Sequence, residues 1–422
     1  MRPKTAKSDT TRYFLNVLPG NRMVLPGSAE QRKLFGQESN PGTRIRRIVQ
    51  KLMHYSGFNQ WIFMKVNNVI SSFTLVWHFA TLFLLTASFC GCSHISYMSQ
   101  AIAGHLSIMN ARVPIENTLK SNDLANETRD KLKMILEVRS YASEELGLPN
   151  NKSYTLFSET NREYLGWNVY VAPQFSIEPV KWCFPVAGCV SYRGYFSKNK
   201  ALQFARKMKE QNFDVFISPF DGYSTLGWYD DPVLSTQLRL NPICLIGLVI
   251  HELAHQKFYV SGDSRFNEAF AVTVERAGTL RWLKSKNRDD LTSEAQKMWA
   301  EEDRRIARIL ESRTQLIDLY HSGLNSKAMA EKKALIFADL KSELYSNGAE
   351  SPKSNDETYE LNNAYLVSID TYYLLLPVFQ SILDSVGGNF QQFYEKIEGL
   401  GKLPFQKRQY EIELLQKNIK KS

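Results

Sequence analysis

The sequence predicts an α+β fold: a small sheet packed on one buried helix that carries His251, with helices before and after it. Three observations lead there. Helical periodicity runs through residues 93–150, short β-branched and aromatic runs fill residues 151–240, and helical patterns return from Asn241 to Ser422. Helices, then strands, then helices argue for segregated elements rather than the regular alternation of a parallel α/β sheet.

The first stretch, with opposite charges spaced i, i+4, reads as two or three helices. In the second, WNVYVAP, WCFPV, CVSYRGYF and FDVFISPF are separated by Pro and Gly, which predicts four or five strands in one small sheet. Phe196–Gln211 has a helical pattern, and YSTLGW (223–228) reads as a possible edge strand that could pair with an extended peptide. In the third stretch the helices break at NGAESPKSND (347–356), a turn-forming loop.

The chain has 422 residues, 43% hydrophobic, and a formal net charge of +9. That charge is local. Residues 1–63 hold eleven Lys/Arg and three Asp/Glu, Lys65 supplies one more positive charge, and the chain from Val66 onward is neutral. Without clustered cations the body lacks the electrostatic footprint of nucleic-acid binding. The uncharged run VISSFTLVWHFATLFLLTASFCG (69–91) is long enough to cross a hydrocarbon core of roughly 30 Å. Two readings fit it. Met64-Lys65, the apolar run and then Phe89-Cys90-Gly91-Cys92 have the layout of a bacterial lipoprotein signal, with Cys92 lipidated and Met64 as the start. An uncleaved anchor, with residues 1–63 cytoplasmic, is the other. Both place the body outside the cytoplasm, on the periplasmic face of the cell envelope. The expected organisation is a basic extension at 1–63, a signal or anchor at 64–91, and one domain from Cys92 to Ser422.

Cysteine usage agrees with that compartment. Cys183 and Cys189 bracket Pro185 and Gly188 in WCFPVAGC, so the chain can turn back and bring them within disulfide reach. Cys244, in ICLIGLVI, reads as a buried thiol.

The chemistry concentrates in HELAHQKFYVSGDSRFNEAF (251–270). His251 and His255 stand one helical turn apart on one face, where two imidazoles can ligate one Zn²⁺. Glu252 lies beside them, placed to act as a general base toward water. A catalytic zinc needs a third protein ligand, and Glu268 and Glu275 compete. With a first helix ending near Val260, Gly262 as terminator and Ser264 capping a returning helix, Glu268 comes level with the histidines, while Glu275 overshoots by roughly 9 Å. Glu268 is therefore the expected ligand, and Glu275 a supporting group behind it. Asp263 is a candidate either to orient a ligand histidine or to cap the second helix.

WCFPVAGCVSYRGYF (182–196), DGYSTLGWYDDPVLST (221–236), HELAHQKFYVSGDSRFNEAFAVTVERAG (251–278) and NNAYLVSIDTYYLLLPVFQSIL, following CGCSHISYMSQAIAGHLSIM (90–109), resemble together the putative aminopeptidase family of bacterial lipoproteins. The resemblance covers about residues 90–412. It implies a zincin-like fold and a gluzincin-type zinc peptidase whose third ligand is the glutamate of N-E-x-F-A, here Glu268. The spacing from His255 to Glu268 is short for gluzincin aminopeptidases, and the G-x-M-E-N segment that binds a free amino terminus in those enzymes is absent.

The implied substrate is a peptide. Tyr223 is the first candidate to stabilise a tetrahedral intermediate, with Tyr195 or Arg193 second. Two rivals stand beside a membrane-tethered peptidase: a zinc hydrolase of non-peptide amides such as cell-wall material, and a catalytically silent, zinc-stabilised envelope scaffold. The sequence leaves the oligomeric state open.

Overall fold

The computed structural model describes residues 97–184, 188–345 and 360–419. The basic extension, the apolar run with Cys92, and the loop at 347–356 lie outside the described residues. The chain divides into two compact units, of which 28–102 is one. Within it only the helical residues 97–102 are described. The account below concerns the other.

The architecture is mixed α+β, mostly helical with small sheets. Where one sheet was expected, the described residues form three. Strand β3 (Gly166–Pro173) lies between β6 (Tyr192–Tyr195) and β7 (Phe213–Phe220), antiparallel to both. A second sheet has β2 (Leu156–Ser158) at its centre, with β1 (Arg112–Pro114) antiparallel on one side and β8 (Val233–Leu234) parallel on the other. The third is the hairpin of β4 (Trp182–Phe184) and β5 (Gly188–Val190), closed by a disulfide between the directly opposed Cys183 and Cys189. Among the described residues the hairpin pairs only with itself and extends neither of the larger sheets. β1 falls in a stretch read as helical. Pro114 has no N–H to continue a helix from residue 110, and the backbone pairs with β2 instead.

The central sheet has a helix on each face. Short helix α1 (Ile115–Thr118) and then α2 (Asn126–Glu144) precede it, and α3 (Lys198–Glu210) covers one side, starting two residues later and ending one earlier than expected. The Ser197 side chain caps α3 by accepting from Lys200 N. On the other side, Tyr170, Tyr192 and Phe216 turn together toward a C-terminal helix, as the two-residue period of paired strands requires.

After β8 the described residues form eight helices: α4 (Pro242–Lys257), α5 (Ser264–Ser285), the long α6 (Asp289–Tyr320), α7 (Ser326–Tyr345), α8 (Asn363–Tyr373), α9 (Leu376–Ser385), α10 (Phe390–Gly401) and α11 (Phe405–Ile419). It is α8 that meets the sheet, with Tyr365 edge-on to Phe216 at 5.2 Å. The stretch Asn363–Ser385 is apolar and long enough to cross a membrane by composition, but 78% of its most apolar window is buried in the fold. It is a core element.

The helix carrying His251 is apolar on all sides because it is buried on all sides. The expectation that a sheet covers it needs correction. The sheet faces are taken by α3 and α8, so α4 packs chiefly between α2 and α5, within a core that includes Leu132, Ile246, Val249, Ile250, Phe270 and Phe393.

Candidate metal centre

Helix α4 starts where its sequence says it should. The Asn241 side chain accepts from Cys244 N at 2.8 Å, and Pro242 occupies the first turn, where no N–H is needed. The helix ends at Lys257, three residues before the expected Val260. Phe258 leaves it in an extended conformation (φ −151°) and packs edge-on against Phe266 and Phe270. The half-buried ring packs against the main core there.

The connection to α5 is a closed turn. Gly262 takes φ +81°, in the left-handed region that glycine occupies without penalty. Asp263, not Ser264, caps the second helix by accepting from Phe266 N. Its other oxygen accepts from Arg408, and among the described residues it pairs with no histidine, so capping is its observed role. The Asn267 side chain both accepts from Val260 N (2.7 Å) and donates to Val260 O (2.8 Å), stapling the turn to α5.

This turn brings Glu268 back to the level of the histidines. Nε2 of His251 lies 3.0 Å from Nε2 of His255 and 3.3 Å from Oε2 of Glu268, and His255 Nε2 lies 3.5 Å from the same oxygen. Four ligands at about 2.0–2.2 Å from a tetrahedral ion stand about 3.3–3.6 Å apart, so the triangle has the size of one tetrahedral face. Among the described residues, these three form a group able to hold a metal, and all are buried. Burial opposes the charge on Glu268, yet His255 and His251 beside it hold its carboxyl down to about 2.

Glu275 stands behind the triangle. Its Oε2 is 2.6 Å from Nδ1 of His251, which fixes the ring and turns Nε2 toward the centre. Glu252 is 1% exposed on the same helix as the two histidines.

A cavity of about 10 Å³, room for about one water, opens beside His255 and Glu268. Its walls include Tyr192, Ser224, Leu226, Tyr259 and Asn267. The candidates read from the sequence for stabilising the intermediate have partners of their own. The Tyr223 hydroxyl pairs with His105 Nδ1 at 2.7 Å, while Tyr195 and Arg193 project from β6 onto Phe204 of α3. Strand alternation explains it: Tyr192 sits on the opposite face from Arg193 and Tyr195, and Tyr192 reaches the cavity. Tyr259 also lines it, its ring 6.3 Å from that of His255.

YSTLGW is a loop rather than an edge strand. Leu226 (φ 55°) and Gly227 (φ 78°) turn it back, and Asp231 holds it shut by accepting from Thr225 N (3.0 Å), Thr225 Oγ1 (2.8 Å) and Ser224 Oγ (3.4 Å). Gln256, one residue past the second histidine, donates to the same carboxylate (3.4 Å) and anchors the loop to α4. Sequence reading named none of Asp231, Gln256, Tyr192, Tyr259 and Asn267 individually. Their one signal was position: each lies inside a segment that carries the family resemblance, and Asn267 opens NEAFA.

The fold and the cluster together define a mixed α+β protein with a buried His-His-Glu centre of metal-binding dimensions. Residues 96–412 match the model of a family described as "Putative aminopeptidase", and the chain belongs to that family. No curated protein and no solved structure matches it.

Proposed function

We propose that this protein is a membrane-tethered zinc metallopeptidase facing the periplasm, with His251, His255 and Glu268 holding one Zn²⁺. The observation that carries the proposal is the triangle of ligand atoms at 3.0, 3.3 and 3.5 Å, which would hold a zinc ion by three protein groups and so would leave room for water or substrate. Structural zinc sites usually close with four protein ligands, so three favour an enzyme over a scaffold. The family description supports peptide bonds as the substrate, and an amino-terminal cleavage preference rests on that description alone. The apolar run at 69–91 and Cys92 support the membrane tether.

When bound, zinc supplies Lewis acidity, polarising a carbonyl oxygen and making water easier to deprotonate. The remaining work falls to the chain. Glu252 accepts the proton of the attacking water and returns it to the departing amine. Glu275 keeps His251 in the tautomer and orientation that present Nε2. Tyr259 lines the cavity beside His255, where its hydroxyl can donate to the carbonyl oxygen as negative charge develops there.

The test is metal content by mass spectrometry beside hydrolysis of a mixed peptide library by the full-length protein. About one zinc per chain with trimming from peptide amino termini supports an aminopeptidase, and internal cuts make it an endopeptidase. Zinc without peptide cleavage removes the peptidase, and no zinc removes the metal centre.

A further inference from the structure

We infer that Gly247 is a positioning residue for the metal centre: its missing side chain is the seat of the Glu275 carboxylate that holds His251. The inference rests on the proposed metal reading. Gly247 lies in the middle of buried α4, one turn before His251, where glycine is a poor choice for helix stability and alanine the best. Its neighbours in ICLIGLVI are apolar, so helix formation gives no reason for it.

The reason lies across the interface with α5. A Cβ at position 247 would stand 2.9 Å from Oε1 of Glu275, 3.1 Å from its Cγ and 3.3 Å from its Cδ. The first distance is shorter than real contacts allow, and the other two leave little slack. One oxygen of Glu275 thus lies over Gly247, while the other takes Nδ1 of His251 at 2.6 Å. The helices are as close at Gly278 of α5, where a Cβ would meet Ile250 of α4 at 3.1 Å and Leu146 at 2.8 Å, but what a Cβ on Gly247 meets is the far end of a flexible side chain rather than backbone. The easiest relief is therefore a swing of the carboxylate. That swing releases His251. Helix packing alone would predict a change in stability, whereas this seat predicts a change in metal affinity.

The experiment measures zinc affinity of the full-length protein by competition with a chromogenic chelator, with far-ultraviolet circular dichroism on the same samples. Gly247→Ala should weaken zinc binding about 10- to 100-fold, the usual effect of losing a ligand's hydrogen-bonding partner, with helix content unchanged. Adding Glu275→Asp withdraws the carboxylate by one methylene and should restore part of the affinity lost in Gly247→Ala. Equal affinity in wild type and Gly247→Ala overturns the inference. If Gly247→Ala fails to fold, the double variant decides: recovery of fold and zinc supports the seat, and no recovery overturns it. Absence of zinc from the wild type is a different result, which overturns the metal reading itself.

Discussion

Arg408, on the last helix, donates from Nε at 3.0 Å and from Nη2 at 2.9 Å to Oδ2 of Asp263, the residue that caps α5. Both are buried, and Arg408 also donates to the carbonyls of Gly401 and Leu403. The C-terminal helices are thereby clamped onto the turn that returns Glu268 to the histidines.

Arg408→Ala leaves a buried carboxylate without its counter-charge, so it should cost about 3–5 kcal/mol of folding stability. Urea denaturation at neutral pH measures it. A loss below about 1 kcal/mol would mean that the pair does not clamp the turn.

Glu252→Gln keeps the shape of the side chain and removes its basicity. Zinc stoichiometry should stay at the wild-type value while peptide turnover falls by about 10²–10⁴. Undiminished turnover would exclude Glu252 as the base.

The tyrosines divide by the face they occupy. Tyr259→Phe should lower kcat by about 10²–10³ with little change in KM, as loss of an oxyanion donor does. Tyr223→Phe breaks its bond with His105 and should leave kcat near wild type. The reverse pattern would return the role to Tyr223.

Asp231 makes stability depend on pH. Burial raises its carboxyl from 3.8 to about 6, against the pull of the bonds from Thr225 and Ser224. Between those values the folded chain holds more protons than the unfolded one, so the Asp231 contribution falls as pH rises and levels off above pH 6. The difference in stability between wild type and Asp231→Asn should therefore drop by on the order of 2–3 kcal/mol from pH 4 to pH 7. Parallel pH profiles would show that the carboxyl is not perturbed.

The β4–β5 hairpin reaches the same turn from the other side. A Cβ on Gly188, at φ +73°, would stand 2.5 Å from the backbone nitrogen of Gly262. Replacing Cys183 and Cys189 by serine frees this short loop in the unfolded chain and should cost about 2 kcal/mol. Thermal unfolding with and without reductant checks it: wild type should lose that increment on reduction, and the double serine variant should not respond.

Much of this protein was legible in its sequence, because the signals concerned are local. The order of helices, strands and helices follows from periodicity, and the start of α4 follows from Asn241 and Pro242. His251 and His255 share a face by helical spacing alone, and reach along a returning helix was enough to prefer Glu268 over Glu275. Tertiary structure decided what depends on partners distant in the chain. Whether β4 and β5 join a larger sheet, whether YSTLGW is a strand, and which face of β6 looks into the cavity are set by Asp231, Gln256 and the packing of α3 and α8. Phe258 leaves α4 early and packs against a core that the local sequence does not display. The role of Gly247 is the clearest case. Its neighbours in sequence are featureless apolar residues, and its function appears only when a carboxylate 28 positions away is folded onto it.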